Sequence, residues 1–464
     1  MMASTSSDYT PGFAFDQKKY SYIAEPGLSA KKIKTISSLK DEPDWMLKIR
    51  LKAFDQFQAL PLPDWGPDLS QLDFEKIYYY LQPTDQEVES WDEVPDEVKQ
   101  TFERLKVPQA EREVLAGLKA QYDSEVVYGS LREQLAKQGV VFESMDKALH
   151  HHPDLVKQYF GQIIASNENK FTALNTAVWS GGSFIYVPPG VELKRPLQTY
   201  FRINSPSAGQ FERTLIIIDE GAKAHYVEGC TAPSFSGGSL HAGVVEVFVK
   251  EQARCQYSTI QNWYKNVYNL VTKRARVEAK GEMVWTDFNM GSKVTMKYPA
   301  CVLAGRKARG ETLTMALVGE DQHIDAGAKM IHLAPETSSN IISKSISTDG
   351  GRSSYWGKVK VSRQAKGSKS NVVCDALLLD DISRSDTYPV NDVDTNQVQL
   401  QHEATVSKIG QEQLFYLMSR GLSEETAQKM IVNGFIGDLV KKLPLEYAVE
   451  MNRLIEFEME GSVG

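Results

Sequence analysis

From Phe171 to about Thr405 the chain repeats one short unit: an apolar residue, any residue, an apolar residue, then a polar or glycine-containing turn. The unit reads IYVPPG, IIIDEG, VFVKEQ, ARVEAK, CVLAGR, IHLAPE and VKVSRQ, with Val187, Ile218, Val249, Val277, Leu303, Leu333 and Val361 as third residues. Subtraction gives spacings of 31, 31, 28, 26, 30 and 28. Period-two alternation inside each unit marks strands, and a recurrence of this length stacks each strand on its counterpart one coil later. The pattern predicts a mainly β chain with a parallel β-helix core over 171–405. A β-sandwich is the competing reading, but its turns recur every ~8–12 residues.

On either side the period lengthens to that of helices. Residues 1–170 read as an α-helical region with proline interruptions: Leu47, Leu51 and Phe54 share a face after Asp44, and PLPDWGPD from Pro61 breaks it. The acidic stretch SWDEVPDEV (Ser90 to Val98) and the run Val126 to Leu135 continue that style. Residues 406–464 return to helix. Gln411 to Arg420 stops at Gly421, Ser423 is placed to cap Glu424 to Val432, and Leu445, Ala448, Met451 and Leu454 share a face after Pro444. A β-helix has open ends, and the two helical regions are expected to cover them.

Composition narrows the function. The 464 residues hold 60 acidic against 52 basic side chains, a formal charge of −8, which offers no general attraction to polyanions, so no nucleic-acid partner is expected. The opening MMASTSSDYTPGF has no apolar core behind a basic start, and runs such as Leu215 to Ile218 are far too short to cross a bilayer. The expectation is a cytoplasmic protein without a membrane segment. No phosphate-binding loop and no G-x-G-x-x-G turn can be read, so any ATP chemistry would belong to a partner. The triplet His150 to His152, just before Pro153, reads as an exposed helix end.

The four cysteines, Cys230, Cys255, Cys301 and Cys374, include no C-x-x-C pair, and reduced thiols are expected. Cys301 falls inside the repeated unit, where the other repeats place Ile, Val or Ala, and reads as core filling, while spacing leaves Cys255 open between exposed and packed. Cys230 and Cys374 follow their anchors by 12 and 13 residues, and Gln261 also follows its anchor by 12. Equal phase predicts one line along the solenoid with a thiol, an amide one coil on, and a second thiol four coils further. At ~4.8 Å per strand, the thiols stand roughly 24 Å apart and cannot share one metal. Gly229 and Pro233 point to a turn presenting Cys230. His402 and Glu403 are candidate iron donors near Cys374. A stable iron–sulfur cluster normally has four thiolates, which this chain cannot assemble, so a cluster here would be incompletely ligated or would borrow donors from a second subunit.

The stretches HYVEGCTAP, PLQTYFRIN, TIQNWYKNVYNLVTKRA, MKYPACVL, AKMIHLAP and LQHEATVSKIGQEQLFYLMSRG resemble, over essentially the whole chain, the SufB/SufD family of iron–sulfur assembly proteins. They are closer to its SufB branch, which carries the thiols matching Cys230 and Cys374 and the His–Glu pair. The resemblance implies a right-handed parallel β-helix and a scaffold without a self-contained active site. It implies a SUF complex with the ATPase SufC, docked by the C-terminal helices, and with SufD or a second SufB-like chain. Cys230 would accept persulfide sulfur from a cysteine desulfurase and its carrier. Arg202, Asn204, Gln261, Trp263 and Lys273 would line a sulfur route, and Cys374 and Glu403, with His402, would hold a transient iron–sulfur cluster of the 4Fe–4S type for transfer to apo-proteins. No cysteine precedes Cys230, so an N-terminal cysteine motif known in some relatives is missing, and Gln401 stands where some carry Glu. A reduced flavin belongs to some such complexes, but no residue for it is legible here. The alternatives are a SufD-like structural partner without its own cluster, or a β-helix enzyme acting on polysaccharides.

Overall fold

The computed structural model describes residues 20–84, 87–88, 91–93, 115–232 and 238–441. The expectations for the first nineteen residues, for most of Ser90 to Val98, for Pro233 and for the segment from Pro444 lie outside the described residues.

The repeated units stack as parallel strands. Val187 pairs in register with Ile218, Ile218 with Val249, Val249 with Val277, and Val277 with Leu303. Each of these anchors is fully buried in one apolar core between two sheets. The register then departs from the predicted line: Leu303 pairs with His332, and His332 with Val361. His332 is buried, while Leu333 is 37% exposed. The step from Leu303 is therefore 29 residues rather than 30. An imidazole takes the inward position because Thr337 and Ser339 sit within hydrogen-bond distance of its two nitrogens, at 2.8 and 2.9 Å.

Two long sheets face each other across this core. In the first, the strands Leu197–Arg202, Lys223–Thr231, Arg254–Trp263, Glu282–Gly291, Arg309–Val318, Ser338–Ser347, Ser368–Leu378 and Val398–Lys408 follow one another as parallel neighbours. The second runs from Ser183–Val187 through Arg213–Ile218 and Val244–Val249 to Arg352–Val361, with Arg384–Val393 beyond. The corner after each anchor recurs with one left-handed residue, at Gly190, Gly221, Gln252, Lys280, Lys307, Glu336 and Gly367. Four of those seven are not glycine, so at these four the corner is held by the stacked coils rather than announced by a turn residue.

The N-terminal region is only partly helical. Val126 to Leu131 belong to a strand, Glu125–Leu131, which forms an antiparallel hairpin with Gly117–Tyr122; that strand continues the first sheet by pairing with Leu197–Arg202. β-branched and aromatic residues, Val126, Val127 and Tyr128, decide for strand here. Helix Asp44–Ala59 forms as predicted and ends before Pro61, but its buried line is Met46, Arg50, Ala53, Phe54 and Phe57. Buried Arg50 pairs with Glu42 and donates to the carbonyls of Ala177 and Trp179, at 3.2 and 2.9 Å. It thereby fixes this helix to Lys170–Val178, which opens with an Asn169–Thr172 capping box. His150 to His152 do end a helix, Met145–His151, with His151 against Glu143.

At the other end, helix Gln411–Ser419 stops before Gly421, and Ser423 accepts from Thr426 N to cap Glu424–Val440. Val432 and Ile436 pack on Phe288, Met290, Met315 and Leu377, which point outward from the first sheet. No helix among the described residues is long and apolar enough to cross a membrane.

Candidate functional site

Cys230 lies in the strand Lys223–Thr231, 1% exposed, and not in a presenting turn. Gly229 is there for packing: a Cβ would meet the Tyr200 ring at 2.7 Å. Alternation turns Tyr226, Glu228 and Cys230 to the inner face together. In register, Cys230 stands between Phe201 and Gln261, so the phase prediction for Gln261 holds.

For Cys374 the phase is off by two. Following the pairs from Cys230, the line runs through Gln261, Asn289, Ala316 and Ser345 to Ala376. Cys374 belongs to the neighbouring inward line, with Ser343, Thr314, Asp287, Thr259 and Glu228. The cause is the corner after Val361: eight residues separate it from Lys369, which sits at the level of Arg254, whereas Arg254 follows Val249 by five. Both thiols still face inward, five strands apart, or roughly 24 Å at ~4.8 Å per strand.

The surroundings of Cys230 form a closed polar circuit in an otherwise apolar interior. The thiol donates to Glu228 Oε1 at 3.5 Å, and Tyr257 OH donates to the other oxygen of Glu228. Lys273 lies 3.7 Å from Glu228 and 3.5 Å from Asp287 and donates to Thr259 at 2.5 Å. Lys297 lies 3.1 Å from Asp287 and donates to Gln261 Oε1 at 3.1 Å. The Gln261 amide nitrogen, 4.0 Å from Cys230 Sγ, closes the ring. A side branch runs from Gln261 through Asn269 (2.8 Å) and His241 (2.8 Å) to Glu212 (2.9 Å), with the Trp263 ring against His241.

Burial of a charge is costly unless it is paired, and here each charge has an opposite partner. Burial, then the nearby Glu228 and Glu212, raise the Cys230 thiol well above its ordinary range, which keeps it protonated at neutral pH. Burial opposes the charge of Lys273, yet Glu228 and Asp287 hold it above its usual value. Burial also disfavours the Asp287 carboxylate, but Lys297 and Lys273 hold it ionised and below its usual value. Lys297, most affected by burial, falls to about 8.

Arg202 and Asn204 stand outside this ring. Arg202 pairs in register with Thr231, one place past Cys230, and donates to its hydroxyl at 3.3 Å. It is 1% exposed, its Nε and Nη2 have no hydrogen-bond partner among the described residues, and burial lowers its pKa to about 10. Asn204 donates its backbone N–H to Asp123 at 2.7 Å. Spacing alone missed Glu228, Asp287 and Lys297. The signal was present: Glu228 and Asp287 share one inward line through Thr259, two residues before the line of Cys230.

At the second thiol the setting is sparser. Cys374 is 4% exposed, with Thr387 Oγ1 4.0 Å from its sulfur, and burial pushes its pKa up to about 12. His402 pairs with Val372, so it shares the inward face with Cys374, one strand and two residues away, or roughly 8 Å. Burial lowers its pKa, Asn391 Oδ1 lies 3.3 Å from its Nδ1, and its Nε2 is buried with no hydrogen-bond partner among the described residues. Glu403 pairs with Val373, and along its strand Val398, Leu400 and His402 are half-buried while Gln399, Gln401 and Glu403 are exposed. The carboxylate therefore turns to the opposite face from Cys374. No group of three or more His, Cys, Asp or Glu side chains placed to hold a metal exists among the described residues. Cys255 and Cys301 are packed in the core, each pushed up to about 12 by burial.

A parallel β-solenoid of about eight turns with a charge-ringed interior thiol and a second thiol near its last strand defines the structural class. The family description "SUF system FeS cluster assembly, SufBD core domain" matches residues 201–435, and "SufBD protein N-terminal region" matches 31–199. The chain is 56% identical to the iron–sulfur cluster assembly protein SufB of Bacillus subtilis over 98% of each chain. It is equally similar, over the same share of each chain, to iron–sulfur cluster assembly SufBD family proteins of Staphylococcus saprophyticus and Staphylococcus aureus. The chain belongs to the SufBD family and is an iron–sulfur cluster assembly protein of the SUF system.

Proposed function

We propose that this chain is the scaffold on which a SUF complex builds iron–sulfur clusters, taking sulfane sulfur at Cys230 and assembling the cluster at Cys374. The observation that carries this reading is the ring of paired charges around Cys230 inside an apolar barrel, because such a ring stabilises the fold less than apolar packing of the same volume and needs another reason to be there. In the acceptance step the Cys230 sulfur attacks the terminal sulfur of a donor persulfide. The donor S–S bond breaks, a new S–S bond forms, and the Cys230 proton passes by way of Glu228 to the departing thiol. The donor is a cysteine desulfurase acting through its sulfur carrier. Each sulfane sulfur takes up two electrons to become sulfide, and a reduced flavin bound in the complex is a reductant of the right class.

Gln261, Lys273 and Trp263 border the inner route towards Cys374, and Arg202 and Asn204 border its entrance. At Cys374 the growing cluster, which is cargo, gains His402 from the same face. Glu403 lies on the exposed strand that a second chain, SufD or another SufB-like copy, would meet, and that chain supplies the missing donors. SufC, docked on the C-terminal helices, drives opening with ATP, and completed 4Fe–4S clusters pass to apo-proteins in the cytoplasm. In this reading the chain organises chemistry without turning over a substrate of its own.

The test is anaerobic reconstitution of the purified complex with Cys230→Ser and Cys374→Ser, followed by visible absorption and by iron and sulfide analysis. Both variants should lose the cluster chromophore. Undiminished reconstitution in both would defeat the scaffold role and leave a structural partner.

A further inference from the structure

Gln261 is the one neutral amide in the ring around Cys230, and which of its two ends faces the sulfur decides what the site can hold. Its Oε1 receives Lys297 Nζ at 3.1 Å and Asn269 Nδ2 at 2.8 Å. A lysine ammonium can only donate, so the oxygen end must point at Lys297 and the N–H end at Cys230 Sγ. The same logic runs backward. Asn269 must spend its N–H on Gln261, so its Oδ1 faces His241 Nδ1 at 2.8 Å and that nitrogen carries the proton. Glu212 lies 2.9 Å from the other nitrogen of His241 and holds the ring. A Cβ on Gly243 would collide with that carboxylate, at 1.9 Å, so only glycine leaves room for it there.

We infer that Lys297 is a positioning residue: from behind Gln261 it locks the amide so that only N–H faces Cys230, making a cradle for an anionic sulfur, either a thiolate or a terminal persulfide. This rests on the reading of Cys230 as the sulfur acceptor. Lys297 is fully buried at the end of the strand Val294–Lys297, in the sheet opposite Cys230, and is anchored by Asp287 at 3.1 Å. Its positive charge and the N–H it orients favour the same form of the sulfur. The other charged groups facing Cys230 are Glu228 and Glu212, which oppose the anion, and Lys273, which favours it. His241 and Asp287 complete the surrounding set.

The experiment is a pH profile of thiol modification in the full-length chain. Methyl methanethiosulfonate takes a thiolate into a methyl disulfide and releases methanesulfinate, and peptide mass spectrometry reads Cys230 and Cys255 separately. Lys297→Met should move the Cys230 profile up by about one unit, roughly a tenfold slower reaction at any fixed pH below it. Lys297→Arg should restore most of the loss. Cys255, packed in the apolar core, should keep its profile in both. Should Lys297→Met fail to fold, Lys297→Gln keeps a donor towards Gln261 without the charge, and a smaller upward shift is then expected. An unchanged Cys230 profile in a folded Lys297→Met or Lys297→Gln chain would overturn the assignment. Reconstitution by Cys230→Ser would remove the sulfur-acceptor role while leaving the clamp, so the two failures are distinguishable.

Discussion

The two inward thiols share one sheet face and differ in what completes them. Around Cys230 the coils bring Glu228, Asp287, Lys273 and Lys297 together, all at most 1% exposed and each ion-paired within the chain. Around Cys374 the neighbouring groups are hydroxyls, Ser343 and Thr387, and the next strand, Val398–Lys408, is the last of its sheet. Charges can be buried only where partners are supplied, so the first site is finished by its own chain. The second has fewer than three candidate donors and lies beside a strand with no further sheet partner among the described residues, an edge of the kind that can pair with another chain. Under the proposed function, the enclosed thiol would hold sulfur and the thiol near the edge would hold a cluster.

The largest expected effect breaks this contrast at its centre. Asp287→Ala removes the one carboxylate paired with Lys297 among the described residues and leaves Lys273 with Glu228 alone. A loss of about 3–5 kcal/mol is expected, because an unpaired buried charge remains. Ser343→Ala, its counterpart on the same inward line beside Cys374, should cost about 1 kcal/mol or less. Denaturant unfolding of both variants measures the difference, and equal losses would erase the distinction between the two regions.

A second contrast sets the paired interior against a lone acid on the second sheet. Asp325, fully buried and faced by Tyr298 and Trp356, is raised to about 7, chiefly by burial. Its folded pKa lies above its unfolded one, so the native state binds the proton more tightly. That contribution is complete below about pH 4 and is lost as pH rises through about 7. At ~1.36 kcal/mol per unit, the shift amounts to roughly 4 kcal/mol at most. Asp325→Asn should raise the melting temperature at pH 8 and leave it nearly unchanged at pH 4. A gain that is the same at both values would show that the carboxyl is not the source.

The thiols themselves sharpen the comparison further. After burial, Glu228 is the main group raising Cys230, whereas the Thr387 hydroxyl lowers Cys374. Glu228→Gln should therefore bring the Cys230 modification profile down by about one unit, and Thr387→Val should move that of Cys374 up by less. Opposite signs are the result expected from site-resolved alkylation across pH. No shift at either thiol would mean that burial alone governs both, and shifts of one sign would contradict the causes assigned to Glu228 and Thr387.

How much of this was legible depends on what each position had to be. Val187, Ile218, Val249, Val277, Leu303 and Val361 announced the solenoid because the core accepts only apolar side chains at those rungs. The Cys230–Gln261 neighbour pair followed, since the two coils have corners of the same length. The charge ring did not, because Glu228, Asp287 and Lys297 look like solvated residues until the register stacks them. The two-residue error for Cys374 came from one longer corner after Val361. Glu403 is a candidate as the neighbour of His402 and through the family resemblance, and alternation sends these two adjacent side chains to opposite faces.

The slip at His332 offers the smallest and cleanest measurement. The repeat, read as letters, puts Leu333 on the core line, where truncating it would open a cavity at a cost of about 2–5 kcal/mol. The strand register puts His332 there and leaves Leu333 at 37% exposure. Leu333→Ser should then change stability by no more than about 0.5 kcal/mol, as surface substitutions do. A loss of several kcal/mol in denaturant unfolding would restore the 30-residue step at that rung, with Val361 an anchor in either register.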